Sequence, residues 1–322
     1  MSKFIGRRVN VGVGKETTRG TGVSATFWIP HSALSFYDRV TKAYPNEAIG
    51  SISLAPTTAI PALRWAEGDF EGEINANSFG LILLALFGTV NSAAILSAYD
   101  HTYTLQEDNQ HDSLSVYQIT PDETILFELS MINSLEIRIE MGEIVKFTVG
   151  FLSKASATST ETKSYARDYK FVSRDLQFKV ADTTGDIASA SKISLKSLTL
   201  KIEKNVEKDH ILGSFDPEDI LNKGIDIRGS AELNYEDNTW KNYMLNGNVK
   251  ALQIFLENTR QTIGTTHPQL TIQFPKVEFS EWEPAYGIDD IVKQSINFSV
   301  LYDINNDRLF SSIVLRNPTV SY

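Results

Sequence analysis

Near the start of the chain, Gly12-Val13-Gly14-Lys15-Glu16 supplies the glycines and the lysine from which a phosphate-binding loop is made. Such a loop cradles phosphates with backbone N–H groups, reaches them with its lysine and holds magnesium with a following Ser or Thr. Here Val9 stands where the first glycine belongs, and Glu16 where the hydroxyl belongs. No buried strand is expected before the segment, so the nucleotide reading fails on its defining contacts. The five histidines, His31, His101, His111, His210 and His267, show no zinc-binding spacing. Asp108, His111 and Asp112 lie close enough in sequence to hold a cation, but their polar surroundings read as a solvated loop. No Gly-x-Ser-x-Gly elbow occurs. The acidic pairs Asp289-Asp290 and Glu218-Asp219 read as turn and helix-start residues. No catalytic constellation emerges, so the expectation is a protein that is not an enzyme and needs no cofactor or metal.

The elements carrying these residues are mostly strands. Leu135, Ile137 and Ile139 alternate with Glu136, Arg138 and Glu140, and Phe147, Val149 and Phe151 alternate with Lys146, Thr148 and Gly150. The same period of two runs through Leu198 to Glu203, Leu270 to Phe274 and Ile296 to Val300. It marks strands with one dry and one wet face, as in antiparallel sheets. Helices are few. One should run through Phe79 to Phe87, capped by Asn77 or Ser78 and ended by Gly88; it is apolar nearly all round and should be buried. A second should start near Asp237 or Asn238 and stop at Gly247. A short third is expected after Asp216-Pro217. Ser153 to Arg167 reads as a linker or exposed loop, and Thr89 to Leu114 as a long hairpin tip or surface loop.

The chain has 322 residues, no cysteine and a formal net charge of -10. Disulfides and thiolate metal sites are therefore excluded. The length suits two compact units. The acidic balance argues against tight binding of a phosphate backbone, which requires neutralising cations. The longest apolar stretch, Phe79 to Val90, is too short to cross a bilayer. No signal peptide is expected at the start, so the reading is a protein with no membrane association, made in the cytoplasm.

The two halves are alike. Asp69 to Ile74 precedes the capped helix ending at Gly88, and Arg228 to Leu233 precedes the one ending at Gly247; Glu73 and Glu232 stand at the same interval before those glycines. Glu143-Ile144-Val145-Lys146 opens a strand in the first half, and Asp290-Ile291-Val292-Lys293 opens one in the second. This matched order predicts a duplication, with one β domain over residues 1–165 carrying an N-terminal arm and another over 166–322 carrying a C-terminal arm. The expected fold is mainly β, two tandem sandwich or barrel domains, each with a short helix packed on its sheet. Sheet edges in such domains need a partner, and pairing them between copies closes a ring.

Val11 to Thr21 (VGVGKETTRGT) resembles the opening motif of a family of phage tail tube proteins. Gly68 to Gly88, with its Leu-Phe-Gly end, is similar to that family's strand and Leu-rich helix. Ile132 to Ile137, Leu198 to Ile202, Gly213 to Pro217, Gly229-Ser230 and Gly287 to Ile291 are similar as well. The polar stretch QEDNQHDS and the tail Leu309 to Tyr322 depart from the pattern. The resemblance implies self-assembly into stacked rings, trimeric and pseudo-six-fold, around a channel in the virion's tail. Its implied partners are further copies of the chain, a tape measure protein, tail terminator and baseplate or distal tail proteins. Double-stranded DNA would pass through without specific binding. On this basis Glu71, Glu73, Glu136, Glu140 and Glu232 are expected to line the channel, the alternative being a place on the outer surface. The competing functional readings are a glycan-binding β-sandwich adhesin, which an exposed aromatic cluster around Trp282 and Tyr286 would favour, and a β-rich hydrolase with two carboxylates in one pocket.

Overall fold

Leu135, Ile137 and Ile139 are buried, while Glu136, Arg138 and Glu140 face outward, as the alternation requires. The structure, a computed structural model, describes residues 3–53, 55–167, 169–288 and 291–322. Asp289 and Asp290 lie outside the described residues, so the acidic turn before Lys293 is not described. In chain order the strands of the first half are β1 (Asn10–Lys15), β2 (Phe27–Ile29), β3 (His31–Ala43), β4 (Ile60–Glu73), β5 (Gly88–Ile95), β6 (Ala98–Leu105), β7 (Leu114–Ile119), β8 (Thr124–Glu140), β9 (Lys146–Ser153) and β10 (Ala157–Thr158). Those of the second half are β11 (Leu176–Ala181), β12 (Ser197–Glu203), β13 (Val206–Asp209), β14 (Asp219–Asn222), β15 (Asp226–Asn234), β16 (Lys250–Glu257), β17 (Gln269–Ala285), β18 (Lys293–Val300) and β19 (Ser312–Asn317). Two helices, α1 (Ala76–Phe87) and α2 (Thr239–Leu245), complete a mainly β fold.

One sheet runs β3-β4-β9-β8-β12-β15-β18-β17, antiparallel throughout. Two others lie outside it. The first half contributes β2-β1-β7-β8-β10. The second is built from β11-β16-β17-β19-β6-β5. The long strands β8 and β17 therefore each serve two sheets. Each carries a bulge just after it enters the inner sheet, between Ile132 and Ser134 in β8 and between Phe279 and Glu281 in β17. A bulge bends a strand and raises its twist, which is what folding one strand over two layers needs. The apolar residues between the layers form one continuous core.

Every residue of α1 is buried, as its all-round apolar sequence demands. Its cap is Asn75, two residues before the earlier of the expected caps, and its side chain accepts from the Asn77 N–H at 3.1 Å. Gly88 ends it in the left-handed region (φ 95°), returning its N–H to the Leu84 carbonyl. The expected third helix is absent. Asp216 instead receives both arms of Arg64, at 2.6 and 2.8 Å, and the segment beyond it forms β14, paired with β13. The stretch after Thr89 is not simply a loop: β5 and β6 form a tight hairpin, and β6 pairs with β19 from the far end of the chain.

Both terminal regions carry strands. β1 and β2, within the stretch read as an N-terminal arm, lie in the outer sheet, and Val11 and Val13 are fully buried. The tail beyond Leu309 forms β19, held between β17 and β6. At the tip of the β3–β4 hairpin Val40, Tyr44, Ile49, Ile52 and Ile60 are exposed.

Candidate functional site

The sequence motif that looked most like chemistry is structural. Glu16 is buried and accepts hydrogen bonds from Gly20 N–H at 2.7 Å and Leu129 N–H at 2.9 Å. Ser115 donates to it at 3.1 Å, and Ser113 donates as well. Its carboxylate thus ties the 16–22 turn to β7 and β8, which explains an acid where a phosphate loop needs a hydroxyl. Lys15 pairs with Asp112 at 2.8 Å. The candidate cation ligands go separate ways: Asp108 accepts from Gln106 and Gln110, and the buried His111 hydrogen-bonds the Gln106 carbonyl through Nε2. No metal-holding cluster of His, Asp or Glu occurs among the described residues. Trp282 is half-buried, donates to Gln294 at 2.7 Å and packs its ring on Tyr235, and among the described residues it makes no ring contact with Tyr286.

The five glutamates singled out from sequence come together. All lie on the same face of the β3-to-β17 sheet, the one turned away from the core. In one cross-strand row, Glu71 opposes Thr148, Thr148 opposes Glu136, Glu136 opposes Lys201 and Lys201 opposes Arg228. In the next, Glu73, Lys146, Arg138, Thr199, Ser230 and Asn297 follow one another. A third runs Glu140, Ser197, Glu232, Ser295 and Glu283. The alternation in each strand selects the face, and the ladders assemble the faces into one.

The sequence reading missed half of this surface. Asp69, Glu203, Asp226, Glu278, Glu281 and Glu283 share it, so carboxylates outnumber the cations, which besides Arg39 on β3 include Arg138, Lys146, Lys201, Arg228 and Lys293. Each of those cations is paired: Arg138 with Glu136, Lys146 with Glu143 at 2.6 Å, Lys201 with Glu203 at 2.6 Å, Arg228 with Asp226 at 2.8 Å and Lys293 with Glu232 at 3.0 Å. Glu73 pairs with Lys170 at 2.7 Å. Glu71 and Glu140 form no ion pair among the described residues. The hydrogen bond that Arg138 donates to Glu136 raises the Arg138 pKa, with the fields of Glu71 and Glu140 adding to it, and the same two carboxylates add to Glu143 in raising Lys146. Glu71 and Glu140 stand two strands and four residues apart, roughly 17 Å, where exposed like charges repel by only about 0.25 kcal/mol. The face is therefore acidic at little expense to the fold, and salt screens what repulsion remains.

The face is joined across the two halves by β8 and β12, paired from Ser134↔Glu203 to Glu140↔Ser197. At its outer sides two edges stay open. Among the described residues, β3 pairs with β4 alone, and β17 from Glu278 onward pairs with β18 alone. Most side chains along both edges are exposed. A flat acidic wall with free backbone on both sides is suited to continuing its sheet into a neighbour rather than to binding a small molecule. A groove of about 600 Å³ on it lies beside Ser35, Tyr37, Arg39, Glu67 and Lys208, and is open and polar.

No curated protein matches the chain. The family model described as phage tail tube protein matches residues 6–300, and the chain belongs to that structural family of the virion tail.

Proposed function

We propose that the chain closes into trimeric, pseudo-six-fold rings, and that these stack into a tube whose bore is lined by the acidic sheet face. The observation that carries this reading is the β8–β12 joint. The chain already splices one four-stranded unit, β3-β4-β9-β8, to a second with the same order of pairing, β12-β15-β18-β17, and leaves the two outer edges open. Two tube domains, residues 1–165 and 166–322, fit this repetition, with β6 and β19 lacing them together on the outside. Strands about 4.8 Å apart give one copy an arc of about 38 Å. Three copies then make a circumference of about 115 Å, and a diameter of about 37 Å before strand tilt widens it. Side chains leave a bore wider than a double helix.

Glu71, Glu73, Glu136, Glu140 and Glu232 would face that bore. Carboxylates repel phosphates, so DNA would slide without sticking, the opposite of what a cationic wall would do. The tape measure protein would fill the bore during assembly, and the terminator and baseplate or distal tail proteins would meet the end rings. Stacking is assigned to the β3–β4 tip, where Tyr44, Ile49 and Ile52 are exposed. Negative-stain microscopy of the purified protein tests the reading: hollow rings or tubes are expected, and a monomer that never polymerises at high concentration overturns it.

A further inference from the structure

We infer that the ring closes by antiparallel pairing of β3 of one copy with the second half of β17 of the next, in the register that sets Arg39 opposite Glu281 and Ser35 opposite Ala285. This rests on the tube reading above and specifies the joint that the reading requires.

The register follows from the ladders. The bulges fix the correspondence of the long strands, since Ser134 follows one and Glu281 follows the other. Ser134 opposes Gly150 as Glu281 opposes Asn297; Gly150 opposes Asp69 as Asn297 opposes Ser230. Asp69 in turn opposes Ser35 as Ser230 opposes Thr199. Ser35 of β3 is thus the counterpart of Thr199 of β12. Within the chain, Thr199 opposes Arg138 of β8, and the β17 residue standing where Arg138 stands is Ala285. The same count sets Tyr37 against Glu283 and Arg39 against Glu281.

Three properties of the edges suit this joint. Strand directions alternate across the whole sheet, so β17 and a following β3 meet antiparallel, as β8 and β12 do. Faces agree: Ser35, Tyr37 and Arg39 lie on the acidic side, as do Glu281, Glu283 and Ala285. Charges agree too, for the β17 edge carries Glu278, Glu281 and Glu283 while the facing side of β3 offers Arg39, which in the single chain leans on Glu67 at 3.1 Å. The internal joint uses the same device in Glu136 opposite Lys201. At the bulge, the Asn133 carbonyl accepts from the Lys204 N–H at 2.8 Å. Its counterparts in the ring joint are the Ser280 carbonyl and the Val40 N–H.

Because the chain has no cysteine, paired cysteines report the register without background. Three double variants are compared under mild oxidation: Ser35→Cys with Ala285→Cys, Tyr37→Cys with Ala285→Cys, and Ser35→Cys with Glu283→Cys. Directly opposed positions are within disulfide reach, whereas positions two residues out of step lie about 7–8 Å apart. Only the first pair should yield covalent rings on a non-reducing gel. If rings are visible by microscopy but a slipped pair links instead, or none links, the register is wrong while the tube reading survives. If the unmodified chain forms neither rings nor tubes, both fall together. A charge exchange adds a second readout: Arg39→Glu should raise the concentration needed for assembly several-fold, and adding Glu281→Arg should restore it. Unchanged assembly in Arg39→Glu would overturn the pairing of these two residues.

Discussion

The ring of Tyr322 lies where a side chain on Gly80 would stand: a Cβ there would fall 2.1 Å from the tyrosine Cζ. The Tyr322 hydroxyl donates to the Asn77 carbonyl at 2.7 Å, and its ring packs against His101 and Phe27. A glycine inside a helix ordinarily costs about 1 kcal/mol relative to alanine, so its presence in α1 needs this reason. Gly80→Ala should therefore destabilise the chain by about 1–3 kcal/mol, as overpacking does, despite the better helix propensity. In a Tyr322→Ala background the same change should become neutral or stabilising. Urea unfolding of the four members of that double-mutant cycle measures the coupling, and additive effects would show that the two residues do not meet.

Glu16 supports a second prediction. Glu16→Ala leaves the Gly20 and Leu129 N–H groups and the Ser113 and Ser115 hydroxyls without their shared acceptor. Stranding buried donors of this kind should lower stability by about 3–5 kcal/mol. Glu16→Gln keeps an acceptor and should lose less. Equal losses in the two variants would mean that the carboxylate's hydrogen bonds are not what the site supplies.

Lys204 makes stability depend on pH. It is buried, with Nζ donating to the Ala85 carbonyl at 2.8 Å, and desolvation, aided by Arg19, lowers its pKa to about 7. Unfolded, it titrates near 10.5. Between those values the unfolded chain holds a proton that the folded chain has released, so stability should rise with pH across that window, by up to about 1.4 kcal/mol per unit. Below about 7 both states are protonated and the contribution is flat. Lys204→Met should remove the slope, which urea titrations at pH 7, 8.5 and 10 will register. His111 and His101 act on the acid side: burial lowers both, so the stability they contribute is present above their usual pKa and lost as pH falls through the folded value.

How much of this was legible in the sequence depends on how far away each residue's partner lies. Leu135 to Glu140 and Phe147 to Phe151 were readable because a strand's two faces are written in its own alternation. α1 was readable from its apolar run, but its start was not, because Asn75 caps it from a bridge to distant Lys170, and its side chain also accepts from the Tyr169 N–H. Asp216-Pro217 looked like a helix start until Arg64, from β4, claimed the carboxylate. β5 and β6 looked like a loop because their packing partner is β19, far along the chain. The equal spacing of Glu73 and Glu232 from their glycines was a false equivalence. α1 starts closer to its preceding strand than α2 does, and the ladders make Glu71, not Glu73, the counterpart of Glu232. Both choices fall on the same face, which is why the acidic surface could be read while the register could not.

The sign of that surface yields the last prediction. If the acidic face lines the bore, replacing Glu71, Glu140 and Glu232 with lysine exchanges repulsion for attraction without touching the core, since all three side chains point away from it. The triple variant should still assemble, because none of these residues lies on β3 or the free half of β17. Each lysine that neutralises a phosphate displaces a counterion, so binding should weaken steeply as salt rises. Variant tubes should retain short duplex DNA at low salt and release it as salt increases, whereas wild-type tubes should retain none at either. The place of retention separates bore from outer wall: DNA held inside should resist nuclease, and DNA on the outside should not. Nuclease-sensitive retention would move these glutamates to the exterior and leave the bore to another face.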